Sequence, residues 1–148
     1  MKHMLFVALV AALQALPQSG LSAQAARAFK ARLSSMPYDL ATAPTMTGVG
    51  SVTATLNGSK LTLNGTFEGL SSRATVARLH KAQRGVRGPA VLDLTASAGT
   101  SGTVTATLDL TAPQVQDLVN GRLYVQLHSE KAPDGNLWGW LLPQETRR

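Results

Sequence analysis

The chain has 148 residues, with 14 Lys and Arg against 8 Asp and Glu, a formal charge of +6. That length suits one domain. It contains no cysteine, which excludes a disulfide framework, thiol catalysis and a lipid-bearing cysteine.

Lys2 and His3 precede an apolar run over residues 4–16 that only Gln14 interrupts. Pro17 breaks the run, and Ala23-Gln24-Ala25 has the small-x-small form of a cleavage site. This predicts a secretory signal peptide over residues 1–25. A spanning helix needs roughly 20 apolar residues, and this run is shorter. The expectation is a secreted or periplasmic chain with no transmembrane segment after cleavage. Without Lys2, 13 Lys and Arg face 8 Asp and Glu, a mature charge of about +5. Such a chain suits an acidic protein or an anionic glycan. Nucleic acid is a poor partner for an exported protein.

Residues 26–36 read as a short helix with Phe29 and Leu33 on one side, ended by Pro37. Residues 37–45 read as a connector. From Met46 the pattern has period two. Val52, Ala54 and Leu56 alternate with Thr53 and Thr55; after Asn57-Gly58, Leu61, Leu63, Gly65 and Phe67 alternate with polar residues. Asn-Gly between such runs predicts a hairpin with positive φ at both turn positions. Residues 75–82 form a further strand, 83–89 a loop, and two more strands meet around residues 99–102. Thr111-Ala112-Pro113-Gln114 reads as a capping box opening a helix over 112–120, which Gly121 ends. The chain closes with a strand at 122–129, a turn through Pro133-Asp134-Gly135, a strand at 136–142 and a polar tail over 144–148. The domain proper is expected over 46–143. Alternation on most strands argues for an all-β antiparallel sandwich or barrel.

The segments "GVGSVTATL", "LTLNGTFEGL", "ATVARLHKAQRGVRGPAVLDL", "LTAPQVQDLVNGRLYVQLHS" and "APDGNLWGWL" follow one another as in the CHRD domain, the module repeated in chordin and found in exported bacterial proteins. The resemblance spans about residues 46–142. Its most specific parts are G-x-x-G-P at residues 85–89, the helix followed by "GRLYVQLHS", and the closing P-x-G-x-x-x-G. It implies an antiparallel β-sandwich akin to Cu,Zn superoxide dismutase and no settled enzyme activity. The chain departs from the family pattern twice. A frequent His-x-His is here Arg78-Leu79-His80, and a last strand usually like G-E-I-R-G-Q-L carries Asn136, Trp138 and Trp140 at its polar positions.

Three chemistries are open. His80 and His128, with Asp134, could hold copper or zinc, but such ions usually take three or four ligands, and Arg78 puts a positive charge beside the pair. The acidic residues are scattered and no nucleophile-elbow motif is present, so an enzyme is not expected. Arg73, Arg78, Lys81, Arg84 and Arg87 lie close together with no acid between Glu68 and Asp93. They predict a basic patch. Both tryptophans, Trp138 and Trp140, share one strand face opposite Leu137 and Leu141. They are exposed, or covered by the 26–36 segment through Phe29 and Leu33, or turned inward by a register slip. The reading preferred on these grounds is an exported, non-enzymatic binding or accessory module that docks on an envelope protein or anionic glycan through Trp138, Trp140, Arg78, Arg84 and Arg87.

Overall fold

A computed structural model describes residues 25–145. The signal peptide expected over 1–25 therefore lies almost wholly outside the described residues, as does the tail beyond residue 145. In chain order the elements are β1 (Arg27–Ser35), a 3-10 turn (Ala43–Thr45), β2 (Val49–Asn57), β3 (Lys60–Glu68), β4 (Ala74–Lys81), β5 (Ala90–Ala96), β6 (Gly102–Asp109), α1 (Ala112–Val119), β7 (Leu123–Ser129), β8 (Ala132–Trp140) and the two-residue β9 (Leu142–Pro143).

The all-β class with one short helix is what the structure has. The pairing order β2-β3-β6-β5-β4-β7-β8-β1 returns to β2, so eight strands close on themselves. Every ladder is antiparallel. Closure leaves no long free edge. Two seams are narrow. β1 pairs β2 over most of its length but gives only Ser34 and Ser35 to β8. β5 pairs β4 first and then gives Thr95 and Ala96 to β6.

Alternation decides what goes inside. Val52, Ala54, Leu56, Leu61, Leu63, Ala77, Leu79, Val125 and Leu127 fill one continuous core with Leu137 of β8 and with Leu141 just after it. Fully burying one such leucine contributes about 1.5–3 kcal/mol. The helix adds Leu118 to the same core. Its capping box is formed as expected: the Gln114 amide N–H donates to Thr111 Oγ1 at 3.3 Å, and the Thr111 N–H donates to Gln114 Oε1 at 2.9 Å.

The expected helix over 26–36 is instead strand β1. Phe29 and Leu33 are four apart, which fits a helix face, but Ala31 between them is also buried. The buried set is therefore period two, and pairing with β2 overrides local propensity. Phe29 and Leu33 enter the main core.

Two turns also differ. Asn57 is paired with Lys60, so the β2–β3 loop is Gly58-Ser59, and among the described residues positive φ is confined to glycine. This is a glycine-led two-residue turn rather than one with positive φ at both positions. The β7–β8 turn falls at Glu130-Lys131, since Ser129 pairs Ala132. Pro133-Asp134-Gly135 lies inside β8, opposite a register shift between Leu127 and Ser129. Gly135, at φ +122°, absorbs that irregularity, as bulges do.

Candidate functional site

The outer face of β4, β7 and β8 is built by register. His80 pairs Tyr124 and Tyr124 pairs Trp140; one step along, Arg78 pairs Gln126 and Gln126 pairs Trp138. Because Leu79, Val125, Leu127 and Leu137 are inside, these residues are outside. The rings tile. His80 stacks on Tyr124 at 5.1 Å, Tyr124 meets Trp140 at 4.5 Å, and Trp138 meets Trp140 edge-on at 4.8 Å.

Large rings on an outer face need cover, and two segments supply it. The loop between β4 and β5 is pinned over His80, Tyr124 and Trp140. The Gly88 N–H donates to Tyr124 Oη at 2.9 Å, and Tyr124 Oη donates back to the Gly88 carbonyl at 3.3 Å. His80 Nδ1 lies 2.9 Å from the same carbonyl, which places its proton there. Trp140 Nε1 donates to the Ala82 carbonyl at 3.1 Å. On the other side Met36, Met46 and Ala132 pack against Trp138. Trp140 is thus buried at 9% exposure, while Trp138 is half-buried. The tryptophans are neither in the main core nor free in solvent. Cover comes from Met36 and the β4–β5 loop, not from Phe29 and Leu33.

A groove of about 240 Å³ runs along the accessible side of the pair, lined by Lys30, Arg32, Ser34, Arg84, Trp138 and Trp140, with Gly139 and Leu142. β1 makes it. Lys30, Arg32 and Ser34 are the outward residues of that strand. A Cβ on Gly139 would strike the Arg32 carbonyl, so glycine is what lets β1 run this close to β8. Among the described residues three cations line the groove and no carboxylate does.

The expected basic patch is divided. Arg78 Nε pairs with Asp93 at 3.0 Å and Lys81 pairs with Asp117 at 2.8 Å. Arg87 donates to the Asp134 carbonyl at 3.3 Å and lines a separate 180 Å³ depression with Met46 and Lys131. Arg84 alone of the loop arginines lines the tryptophan groove. Lys30 and Arg32 were missed as site residues because their segment reads locally as a helix. Their alternation with Phe29, Ala31 and Leu33 was the available signal.

The fold does bring His80 and His128 together, ring centroids 6.4 Å apart. They do not form the alternative metal site with Asp134. His128 Nδ1 lies 2.8 Å from the Pro133 carbonyl, and its Nε2 takes the Gln126 amide at 3.1 Å. The same amide donates to the Asp134 carbonyl at 3.2 Å. Among the described residues, His80 Nε2 is the only buried side-chain nitrogen or oxygen without a partner. Among the described residues no group of three or more His, Cys, Asp or Glu is placed to hold an ion, so the residues present do not fit copper or zinc. Burial holds the His80 pKa below its ordinary value, against the Gly88 carbonyl that favours the proton; His128 and Arg78 push it further down.

The fold and this face define an exclusively antiparallel, closed all-β module with an aromatic outer sheet. The CHRD domain family model matches residues 29–141, and the chain belongs to that family. The match starts within β1, so the strand that reads locally as a helix lies inside the family unit. No curated protein and no solved structure matches the chain. Among the described residues no helix is long and apolar enough to cross a membrane.

Proposed function

We propose that this protein is an exported, non-enzymatic binding or accessory module that docks on an anionic partner, protein or glycan, through the groove beside Trp138 and Trp140. The observation that carries the reading is the groove's lining: Lys30, Arg32 and Arg84 surround two indoles with no carboxylate among them. Aromatic rings and arginine are the side chains that dominate recognition surfaces, and like-signed charge at the rim steers an oppositely charged partner. Arg78, paired with Asp93, and Arg87, in a separate depression, lie outside the groove. Export rests on the basic start, apolar run and small-x-small site of residues 1–25. The two seams at β1 and β5 support reading the barrel as the flattened sandwich of the superoxide dismutase type that the family resemblance implies.

Tryptophan emission titrated with heparin, polygalacturonate and polyglutamate tests the reading. At least one polyanion is expected to change it, and Arg84→Ala is expected to weaken that binding by about fivefold, roughly 1 kcal/mol. A flat titration with all three contradicts it.

A further inference from the structure

The groove has a second property that its charge alone does not explain. Lys30 and Arg32 line not one depression but two. On the far side of β1 they border a groove of about 540 Å³ that also takes in Ser51, Thr66, Glu68 and Ser101. The two grooves meet at β1, and the cations stand where they meet. Residues two apart on a strand are about 7 Å apart along it, so Lys30 and Arg32 present two separate positive charges to whatever crosses the strand.

The dimensions argue against a folded protein as occupant. A specific protein interface takes about 800 Å² from each partner, with an apolar, well-packed centre. Among the described residues the large exposed apolar side chains are Tyr38, Leu40, Val49, Val76 and Val86, and none of them lines the tryptophan groove. Its 240 Å³ falls just below the roughly 300–1,000 Å³ of small-ligand pockets, the scale of a small ring with its substituents. What lines it suits a saccharide. Trp138 is half-buried and lines the groove, and an indole carries a negative quadrupole that attracts the polarised C–H bonds of a pyranose. Ser34, exposed on β1, offers a hydroxyl, and Arg32 and Arg84 offer planar forks that match a carboxylate or sulfate.

We infer that the ligand is an acidic polysaccharide, one sugar stacking beside Trp138 and the chain crossing β1 so that Arg84, Arg32 and Lys30 meet successive carboxylate or sulfate groups. This rests on the docking reading of the same groove and names its ligand class. Ser51, Thr66 and Ser101 of the second groove would meet hydroxyls of the continuing chain.

The test titrates the protein with four probes while following tryptophan emission and heat: an oligogalacturonate, a heparin-derived oligosaccharide, a neutral galactose oligomer of the same length and a polyglutamate of the same charge. The inference expects at least one acidic saccharide to bind about tenfold or more tighter than polyglutamate, a difference of about 1.4 kcal/mol, and the neutral oligomer to bind weakest. Lys30→Ala and Arg32→Ala should each weaken the acidic saccharide and shorten the length of oligomer at which affinity stops rising. Trp138→Ala should weaken it too, and Trp138→Phe, which keeps a ring face and the packing on Met36, should restore most of it. Polyglutamate binding as tightly as either saccharide, and lost in Arg84→Ala, would leave the anion-docking reading standing and overturn the saccharide. Binding by none of the four at about 1 mM, or binding that Arg84→Ala, Lys30→Ala and Arg32→Ala all leave unchanged, would overturn both.

Discussion

Two outer faces of one barrel use the same inward alternation and opposite outward chemistry. On β2, β3 and β6 the outward rows are Ser51–Thr66–Thr103, Thr53–Asn64–Thr105 and Thr55–Thr62–Thr107 by register. Each of these side chains is short, polar and served by water. On β4, β7 and β8 the outward rows carry His80, Tyr124, Gln126, Trp138 and Trp140, which water serves badly. That second face needs a pinned loop, a methionine cover and five or more specific hydrogen bonds. The hydroxyl face needs none of this to satisfy the fold. A barrel of this kind closes with polar residues outside, so the aromatic face is more than closure alone requires.

The sharpest way to separate the faces is truncation. Trp140→Ala removes a buried ring and its bond to Ala82, and should cost about 3–5 kcal/mol in urea unfolding. Thr105→Ala on the opposite face should stay within about 0.5 kcal/mol. Equal costs would erase the distinction. Tyr124→Phe leaves ring stacking intact and deletes only the hydroxyl shared with both backbone groups of Gly88. It should cost about 1–3 kcal/mol, and it should raise amide exchange in the β4–β5 loop without touching β2 or β3.

Acid should find the aromatic face first. The folded state holds His80 below its ordinary pKa chiefly by burial, so the unfolded chain binds the proton more readily. Stability is then flat above the unfolded value of about 6.5 and falls as pH drops below it towards the folded pKa. His80→Gln should remove the part of the slope that sets in as pH falls below about 6.5. An unchanged slope would place the acid sensitivity elsewhere. Arg78→Ala belongs with Thr105→Ala among the smallest effects expected. Its pair with Asp93 leaves both side chains well exposed, at 44% and 87%, and such pairs contribute about 0–1 kcal/mol.

Much of the fold was legible in the residues. Period two over 46–68 gives β2 and β3, Thr111 and Gln114 give the helix start, and Leu137 against Trp138 and Trp140 gives the faces of β8. What misleads is local. Phe29 and Leu33 satisfy a helix as well as a strand, and only pairing with β2 decides between them. Pro133-Asp134-Gly135 has turn composition, yet the hydrogen-bonded partner strand carries it as a bulge. The site was half legible for the same reason. Trp138, Trp140 and Arg84 are readable from the sequence as candidates. Lys30 and Arg32 reach the groove only because the barrel closes through β1, a contact across more than 100 residues of chain that no short window contains. The basic loop reads as one patch, but Asp93 and Asp117, distant in sequence, neutralise part of it.

The central claim is that the tryptophan groove, rather than the hydroxyl face, receives an acidic polysaccharide. The most direct measurement is a two-dimensional nitrogen–proton spectrum recorded while oligogalacturonate or the heparin-derived oligosaccharide is added. The account predicts that the Trp138 indole N–H and the backbone amides of Lys30, Arg32 and Arg84 shift together and saturate together, with Thr53, Thr62 and Thr105 still. Shifts centred on those threonines, or an indole signal unmoved by either saccharide, would contradict it.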